Sequence, residues 1–226
     1  MPASNVATRT VSVMEGILDA NDALAQLNRA KFDAAHTYVV NVMSSPGSGK
    51  TNILERTLEV LGASLRIGVL EGDVQTSLDA SRLQRFGVPV VQVNTGSELG
   101  GGCHLDANMV WCGISQLPLD KIDLLLIENV GNLVCPAGFL LGEDVRVIVA
   151  SVTEGEDKPL KYPHMFRCAD LVLINKIDLL PHIDFDLNVL LKNIGSINSK
   201  ATKILMSART GQGLDDWIAW LNARIR

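Results

Sequence analysis

No stretch of this 226-residue sequence stays apolar for long. The longest runs, such as Ile122 to Ile127 and Leu171 to Ile174, stop far short of the roughly 20 residues that a membrane-spanning helix requires. Positive charge is not in excess either. The 20 Lys and Arg face 25 Asp and Glu, a formal charge of -5, which leaves no broad cationic surface to neutralise a polyanion; neither nucleic acid nor a membrane is expected as a partner. The first twenty residues carry Glu15 and Asp19 and lack a basic start followed by an apolar stretch, so no secretory signal is expected and a cytoplasmic location is. The four cysteines, at 103, 112, 135 and 168, are too sparse for a secreted disulfide framework and are expected to be core residues or metal ligands rather than disulfides. No repeat, low-complexity tract or Pro-rich linker divides the chain. With 47% apolar and 20% charged residues, it is expected to form one domain over 1–226 with a sizeable core.

Short apolar runs recur between helical or loop segments: Thr37 to Met43, Ser64 to Leu70, Val88 to Val93, Ile122 to Ile127, Val145 to Val152, Leu171 to Ile174 and Lys203 to Met206. Each has strand length. Runs that are apolar throughout, rather than alternating, belong to strands covered on both faces, and their alternation with helices predicts a three-layer α/β domain with a mostly parallel central sheet. Ligands then gather at the carboxyl ends of the strands. Residues 11 to 31 place Val13, Ile17, Leu24 and Leu27 near the helical repeat, which predicts an amphipathic N-terminal helix within 1–36 that packs on or beside the sheet. A last helix from about Leu214 to Ile225 is expected to bury Trp217 and Trp220, and the glycine-rich Thr95 to Gly102 reads as a mobile loop.

Directly after the first strand comes Ser44-Ser45-Pro46-Gly47-Ser48-Gly49-Lys50-Thr51, then a helical segment beginning with Asn52. This is a phosphate-loop (P-loop) pattern with Ser44 in place of the first glycine. Gly47 and Gly49 let backbone N–H groups turn inward, with Ser48 between them, around phosphate oxygens. Lys50 offers a point charge to the terminal phosphates from a solvated loop, and Thr51 can coordinate Mg²⁺. The base is read by Asn175-Lys176-Ile177-Asp178 after its own apolar strand. Asp178 can accept from the N1–H and exocyclic amine of guanine, a donor pair adenine lacks, so GTP and GDP are favoured over adenine nucleotides. Ser207-Ala208-Arg209 follows the next strand and resembles the element whose backbone supports guanine O6. Two acidic strand ends, Glu71-Gly72-Asp73 and Glu128-Asn129-Val130-Gly131, supply Asp73 and Glu128 as candidates for Mg²⁺, and Gly131 as a backbone donor to the γ-phosphate. Lys50, Thr51, Asp73 and Glu128 are thus the candidate catalytic residues. No side chain stands out to orient the attacking water, so slow intrinsic hydrolysis is expected.

The adjacent Cys103-His104 and the separate Cys135 are the remaining ligand types suited to Zn²⁺ or Ni²⁺. Cys135 leaves the same strand as Glu128 and Gly131, so a metal there would be mechanically tied to the nucleotide.

With these residues in hand, the chain resembles the hydrogenase nickel-incorporation GTPase family HypB, of the SIMIBI class of P-loop GTPases. The likeness runs through SSPGSGKT, EGDVQT with DASR, QVNTG, CHLDA, IENVGNLVCPA, SVTEGEDKPLKYP, LVLINKIDLLP and SARTGQG. It implies a GTP-hydrolysing metallochaperone that dimerises with GTP and binds nickel or zinc through Cys103, His104 and Cys135. It also implies two partners, a small nickel-binding hydrogenase accessory protein and the large subunit of a nickel-iron hydrogenase. Cys112 and Cys168 match no ligand motif and read as core residues. The sequence departs from the family pattern in three places. Residues 1–36 contain no cysteine and only His36, so an extra N-terminal metal site is not expected; Ser97 to Gly102 lengthens the approach to Cys103; Leu140 stands where the family often has an aspartate. Two rival readings remain related, a urease accessory GTPase, whose Cys-Pro-His motif is missing, and a metal-independent GTPase switch with inert cysteines. A deviant-loop ATPase is disfavoured by Asn175 to Asp178 and by the lack of a second lysine early in the P-loop.

Overall fold

The computed structural model describes residues 13–74, 78–96 and 102–225; the side chains of residues 13–15 lie outside it, as do the loop residues 97–101 and the 75–77 end of the EGDVQT string. The expectations placed on Val13 and on the mobile loop therefore fall outside the described residues.

Seven strands form one parallel sheet in the order β3-β2-β4-β1-β5-β6-β7. They are β1 (Tyr38–Ser44), β2 (Ile67–Asp73), β3 (Val90–Asn94), β4 (Leu124–Glu128), β5 (Val145–Ser151), β6 (Leu171–Asn175) and β7 (Thr202–Leu205). Each expected strand is present, with its ends displaced by up to three residues, because polar residues such as Asp73, Glu128 and Asn175 complete the ladder beyond the apolar run. The helices are α1 (Val13–Ala35), α2 (Lys50–Leu61), α3 (Leu78–Gln84), α4 (Ala107–Ile114), α5 (Lys158–Lys161), α6 (Pro163–Arg167), α7 (Leu187–Ile197) and α8 (Leu214–Asn222).

Alternation along the central strands builds the three layers. Val40 and Val42 turn to one face, where they meet Ile53 and Leu58 of α2 and Trp217 and Leu221 of α8. Val39 turns to the other face with Leu125, Ile127, Phe32 of α1 and Val110 of α4, while Met43 joins Ile148, Val172 and Phe166 beneath α6 and α7. Trp217 and Trp220 are buried as expected, and the Trp217 indole donates to Thr57 Oγ1 at 2.9 Å.

The buried face of α1 differs from the one expected. Ile17 and Leu27 are 46% and 52% exposed, and the helix docks instead through Asn21, Ala25, Asn28 and Phe32. The reason is hydrogen bonding that apolar periodicity does not register. Asn28 Nδ2 donates to Ala107 O at 2.8 Å and to Leu141 O at 3.0 Å; Asn21 Nδ2 donates to Leu140 O at 2.9 Å, and its Oδ1 accepts from Ala107 N–H at 2.9 Å. The first residue of α4 is thereby supported by a neighbouring helix, alongside the cap in which Asp106 accepts from Met109 N–H. Among the described residues no helix is long and apolar enough to cross a membrane.

Candidate functional site

The sheet order leaves β1 between β4 and β5, and the crevice at its carboxyl end is where the phosphate loop lies. Gly47 (φ 73°) and Gly49 (φ 98°) turn this loop through the left-handed region. A Cβ on Gly49 would stand 2.5 Å from Asn175 Nδ2, so the loop requires glycine there for close approach as well. Beside it opens a cleft of about 550 Å³, lined among others by Gly49, Thr51, Asn52, Asp73, Glu128 and Gly131.

Lys50 is not in solvent as expected. It begins α2, is only 8% exposed, and donates from Nζ to Ser44 Oγ at 2.8 Å. Burial lowers its pKa, against the opposing pull of Glu128. Ser44, the departure from the P-loop pattern, is therefore the acceptor that holds the lysine at the mouth of the site. Thr51 Oγ1 donates to Glu128 Oε1 at 2.7 Å. The Glu128 Oε2 is buried and accepts no hydrogen bond among the described residues, and burial raises this carboxyl to about 7. Glu71, which sequence reasoning passed over, faces Glu128 across the β2–β4 ladder; its Oε2 is likewise buried without a hydrogen bond, and burial, then Glu128, raise it to about 8. Two such carboxylate oxygens on adjacent strands, with Thr51 and Asp73 lining the same cleft, fit a hard divalent cation. The signal for Glu71 was available, since residues two apart on a strand share a face and Asp73 had been singled out. Glu154, after β5, was also missed: it accepts from Ser45 Oγ at 2.7 Å.

The Asn175 to Asp178 loop, expected to read guanine, is bonded to the phosphate loop. Asn175 Nδ2 donates to Ser48 O at 2.9 Å, and Lys176 Nζ donates to Gly47 O at 2.7 Å. Asn175 Oδ1 accepts from Ala208 N–H at 3.0 Å, so one backbone N–H of the Ser207-Ala208-Arg209 element expected to support guanine O6 is engaged within the protein. Asp178 Oδ1 accepts from Ser207 Oγ at 2.6 Å, which aims the carboxylate. Arg209 has an exposed side chain, and its carbonyl accepts from Arg56. Asn52 accepts from Arg82 on α3.

The three soft ligands converge. The Cys103, His104 and Cys135 ligand atoms all lie within 4.8 Å of one another. Cys103 and His104 precede the Asp106 cap of α4, and Cys135 opens a 3-10 turn, Cys135–Gly138, after β4. His104 packs its ring on Phe139, with centroids 4.0 Å apart, and burial lowers its pKa, which favours the neutral imidazole that ligates metals. The expectation of no disulfides is corrected here: Cys103 and Cys135 are joined sulfur to sulfur, with Cα atoms 6.3 Å apart, a separation compatible with a disulfide. The same two thiols, in reduced form, are those expected to ligate a metal. Cys112 is exposed on α4, and Cys168, in the turn that ends α6, is half-buried against the Met43 cluster, so neither is the fully buried core residue expected; composition does not reveal which way a side chain turns.

A P-loop on a parallel sheet, joined to a guanine-type base loop, defines a nucleotide-binding domain of the P-loop class. The family model for the CobW/HypB/UreG nucleotide-binding domain matches residues 38–205. The chain belongs to the HypB family of hydrogenase maturation factors: it is 52% identical over 223 residues to the hydrogenase maturation factor HypB of Azotobacter chroococcum mcd 1, covering 97% of this chain and 72% of that protein. The crystal structure of HypB from Helicobacter pylori in complex with nickel matches with a TM-score of 0.86 and 39% identity, over 92% of this chain and 95% of that one. HypB from Archaeoglobus fulgidus matches with a TM-score of 0.85 and 41% identity, over 92% and 100%.

Proposed function

We propose that the chain is a Mg²⁺-dependent GTPase that binds nickel or zinc at Cys103, His104 and Cys135, forms a two-fold dimer with GTP, and assists nickel insertion into a nickel-iron hydrogenase. The observation that carries this reading is the shortness of one segment: Glu128, at the cation end of the nucleotide cleft, and Cys135, in the ligand cluster, are borne on β4 and the turn that follows it. Gly131 lies between them, and a Cβ there would stand 2.9 Å from Pro46 Cα of the phosphate loop, so loop and segment touch without a side chain between them. Loss of a γ-phosphate at Gly131 has only three residues in which to be absorbed before it reaches the Cys135 thiolate.

Asp178, aimed by Ser207, selects guanine; Lys50, held by Ser44, meets the terminal phosphates; backbone N–H groups of the loop cradle the rest. Thr51, Asp73 and Glu128 are the residues to hold Mg²⁺, which supplies charge to the phosphate oxygens when bound. The nickel cargo is taken by two thiolates and an imidazole, a donor set that suits nickel and zinc. The Helicobacter pylori relative was crystallised in complex with nickel, which supports nickel here. By family likeness the partners are a small nickel-binding accessory protein and the hydrogenase large subunit.

The test titrates Ni²⁺ and Zn²⁺ into the reduced full chain loaded with GDP or with a non-hydrolysable GTP analogue, while sedimentation follows the mass of each form. The expected result is a metal affinity that differs between nucleotide states by roughly 5- to 150-fold, dimer in the GTP-analogue form, and loss of binding in Cys103→Ala and Cys135→Ala. Equal affinities in both states would sink the coupling, and undiminished binding in both variants would sink the site.

A further inference from the structure

We propose that Asn129 is the positioning residue through which the nucleotide cleft and the Cys103-His104 arm of the ligand cluster are held in one register, an inference that rests on the coupling proposed above. Cys135 reaches the cleft along its own chain; Cys103 and His104 are held on one side by Gly102, whose N–H donates to Thr95 O at 2.7 Å while Thr95 N–H donates to Asp73 O at 2.8 Å, and on the other by a tie to the end of β4. That tie is at Leu105, the residue after His104. Leu105 N–H donates to Asn129 Oδ1 at 3.0 Å. The same oxygen accepts from Val130 N–H, also at 3.0 Å, and the Nδ2 of Asn129 donates to Asn41 Oδ1 at 3.2 Å on β1. Asn41 in turn donates to Glu143 Oε1 at 3.2 Å. Asn129 is 1% exposed and Asn41 fully buried, so these bonds lie where water offers no substitute.

The position of Asn129 in the chain makes this more than a structural brace. It follows Glu128, which accepts from Thr51 in the cation pocket, and precedes Gly131, against which Pro46 packs, by two residues. Its own N–H donates to Val42 O, fixing it to the strand that leads into the phosphate loop. On the other side of Leu105 the side chain fills the space beside Gly72: a Cβ on Gly72 would stand 2.7 Å from Leu105 Cγ. Gly72 separates Glu71 from Asp73. The residue next to His104 is therefore clamped between both acidic strand ends, by packing on β2 and by a side-chain hydrogen bond from the end of β4. A shift of the Glu128 to Gly131 segment changes the direction of Asn129 Oδ1, and Leu105 N–H must follow or lose its acceptor. In this way His104 and Cys103 move in concert with Cys135, and the three ligands change geometry together rather than one thiolate alone.

The closing experiment compares Ni²⁺ affinity in the GDP and GTP-analogue forms of the reduced full chain for wild type, Asn129→Ala and Asn129→Asp. Alanine removes the acceptor; aspartate keeps an oxygen for Leu105 and Val130 and loses only the donor to Asn41 Oδ1, so it separates the Leu105 tie from the Asn41 one. The ratio of affinities between nucleotide states is the readout, because a residue that merely supports the fold would lower both affinities and leave their ratio. In wild type the expected ratio is roughly 5- to 150-fold; Asn129→Ala is expected to lower it several-fold, the remainder being carried by Cys135 along its own chain, and Asn129→Asp to restore most of the difference. An unchanged ratio in Asn129→Ala overturns the inference while leaving the coupling intact. A ratio of one in wild type instead refutes the coupling itself. A measurement that needs no variant stands beside these: amide exchange at Leu105 and Val130 is expected to change together between the GDP and GTP-analogue forms, and identical Leu105 exchange in both forms overturns the role of Asn129 even if the alanine variant does not fold.

Discussion

Asn175→Ala should damage both stability and nucleotide binding, by an amount that follows from two hydrogen bonds. Asn175 is 2% exposed and spans the phosphate loop and the segment after β7, donating to Ser48 O and accepting from Ala208 N–H. Alanine leaves both buried groups without this partner, each at a cost of about 1–3 kcal/mol, so a loss of about 2–6 kcal/mol is expected. At an m-value of about 2 kcal/mol/M in urea, the midpoint should fall by about 1–3 M. Asn175→Asp separates the two bonds: its oxygen still accepts from Ala208, but no hydrogen is left for Ser48 O, and two acceptors now face each other. Aspartate should therefore be no better than alanine at the phosphate loop yet retain the Ala208 tie. Urea unfolding of the nucleotide-free protein gives the stability change, and a fluorescent GDP analogue gives affinity, which should weaken at least tenfold in both variants because the loop that cradles the phosphates loses its strut. An Asn175→Ala protein within 0.5 kcal/mol of wild type and within twofold in GDP affinity would refute the reasoning.

Asp178→Asn should weaken GTP by roughly 10- to 150-fold, the worth of about 1.5–3 kcal/mol for a charge-assisted bond, and should improve xanthosine triphosphate, whose carbonyl meets the new amide donor; unaltered GTP affinity in titration counts against the assignment. The raised carboxyls of Glu71, to about 8, and Glu128, to about 7, set a pH dependence of stability. Groups whose folded pKa lies above the unfolded value stabilise the fold below that unfolded value, and the contribution is lost as pH rises through the folded one. The nucleotide-free protein should accordingly lose stability between about pH 5 and pH 8, an effect that Glu71→Gln flattens; a urea midpoint that rises with pH over this window, or a slope the variant leaves alone, would refute it.

The sequence by itself determined the parts that depend on local chemistry. Seven apolar runs specify seven strands covered on both faces, and the turn of Gly47 and Gly49, the lysine and threonine after them, and the Asn175 to Asp178 string each carry their meaning in a few adjacent residues. Tertiary structure decided what depends on residues far apart in the chain. Parallel pairing sets Glu71 level with Glu128 and so makes one acidic pocket of two strand ends. The sheet order returns β4 between β2 and β1, which brings Cys135 to Cys103 and His104. Ser44 became the partner of a buried Lys50, and α1 docked on Asn21 and Asn28 rather than on Ile17 and Leu27. The physical reason is the same throughout: a hydrophobic period reports that a face is covered, whereas a buried polar side chain is admitted only where a distant donor or acceptor meets it, and that partner is chosen by the fold.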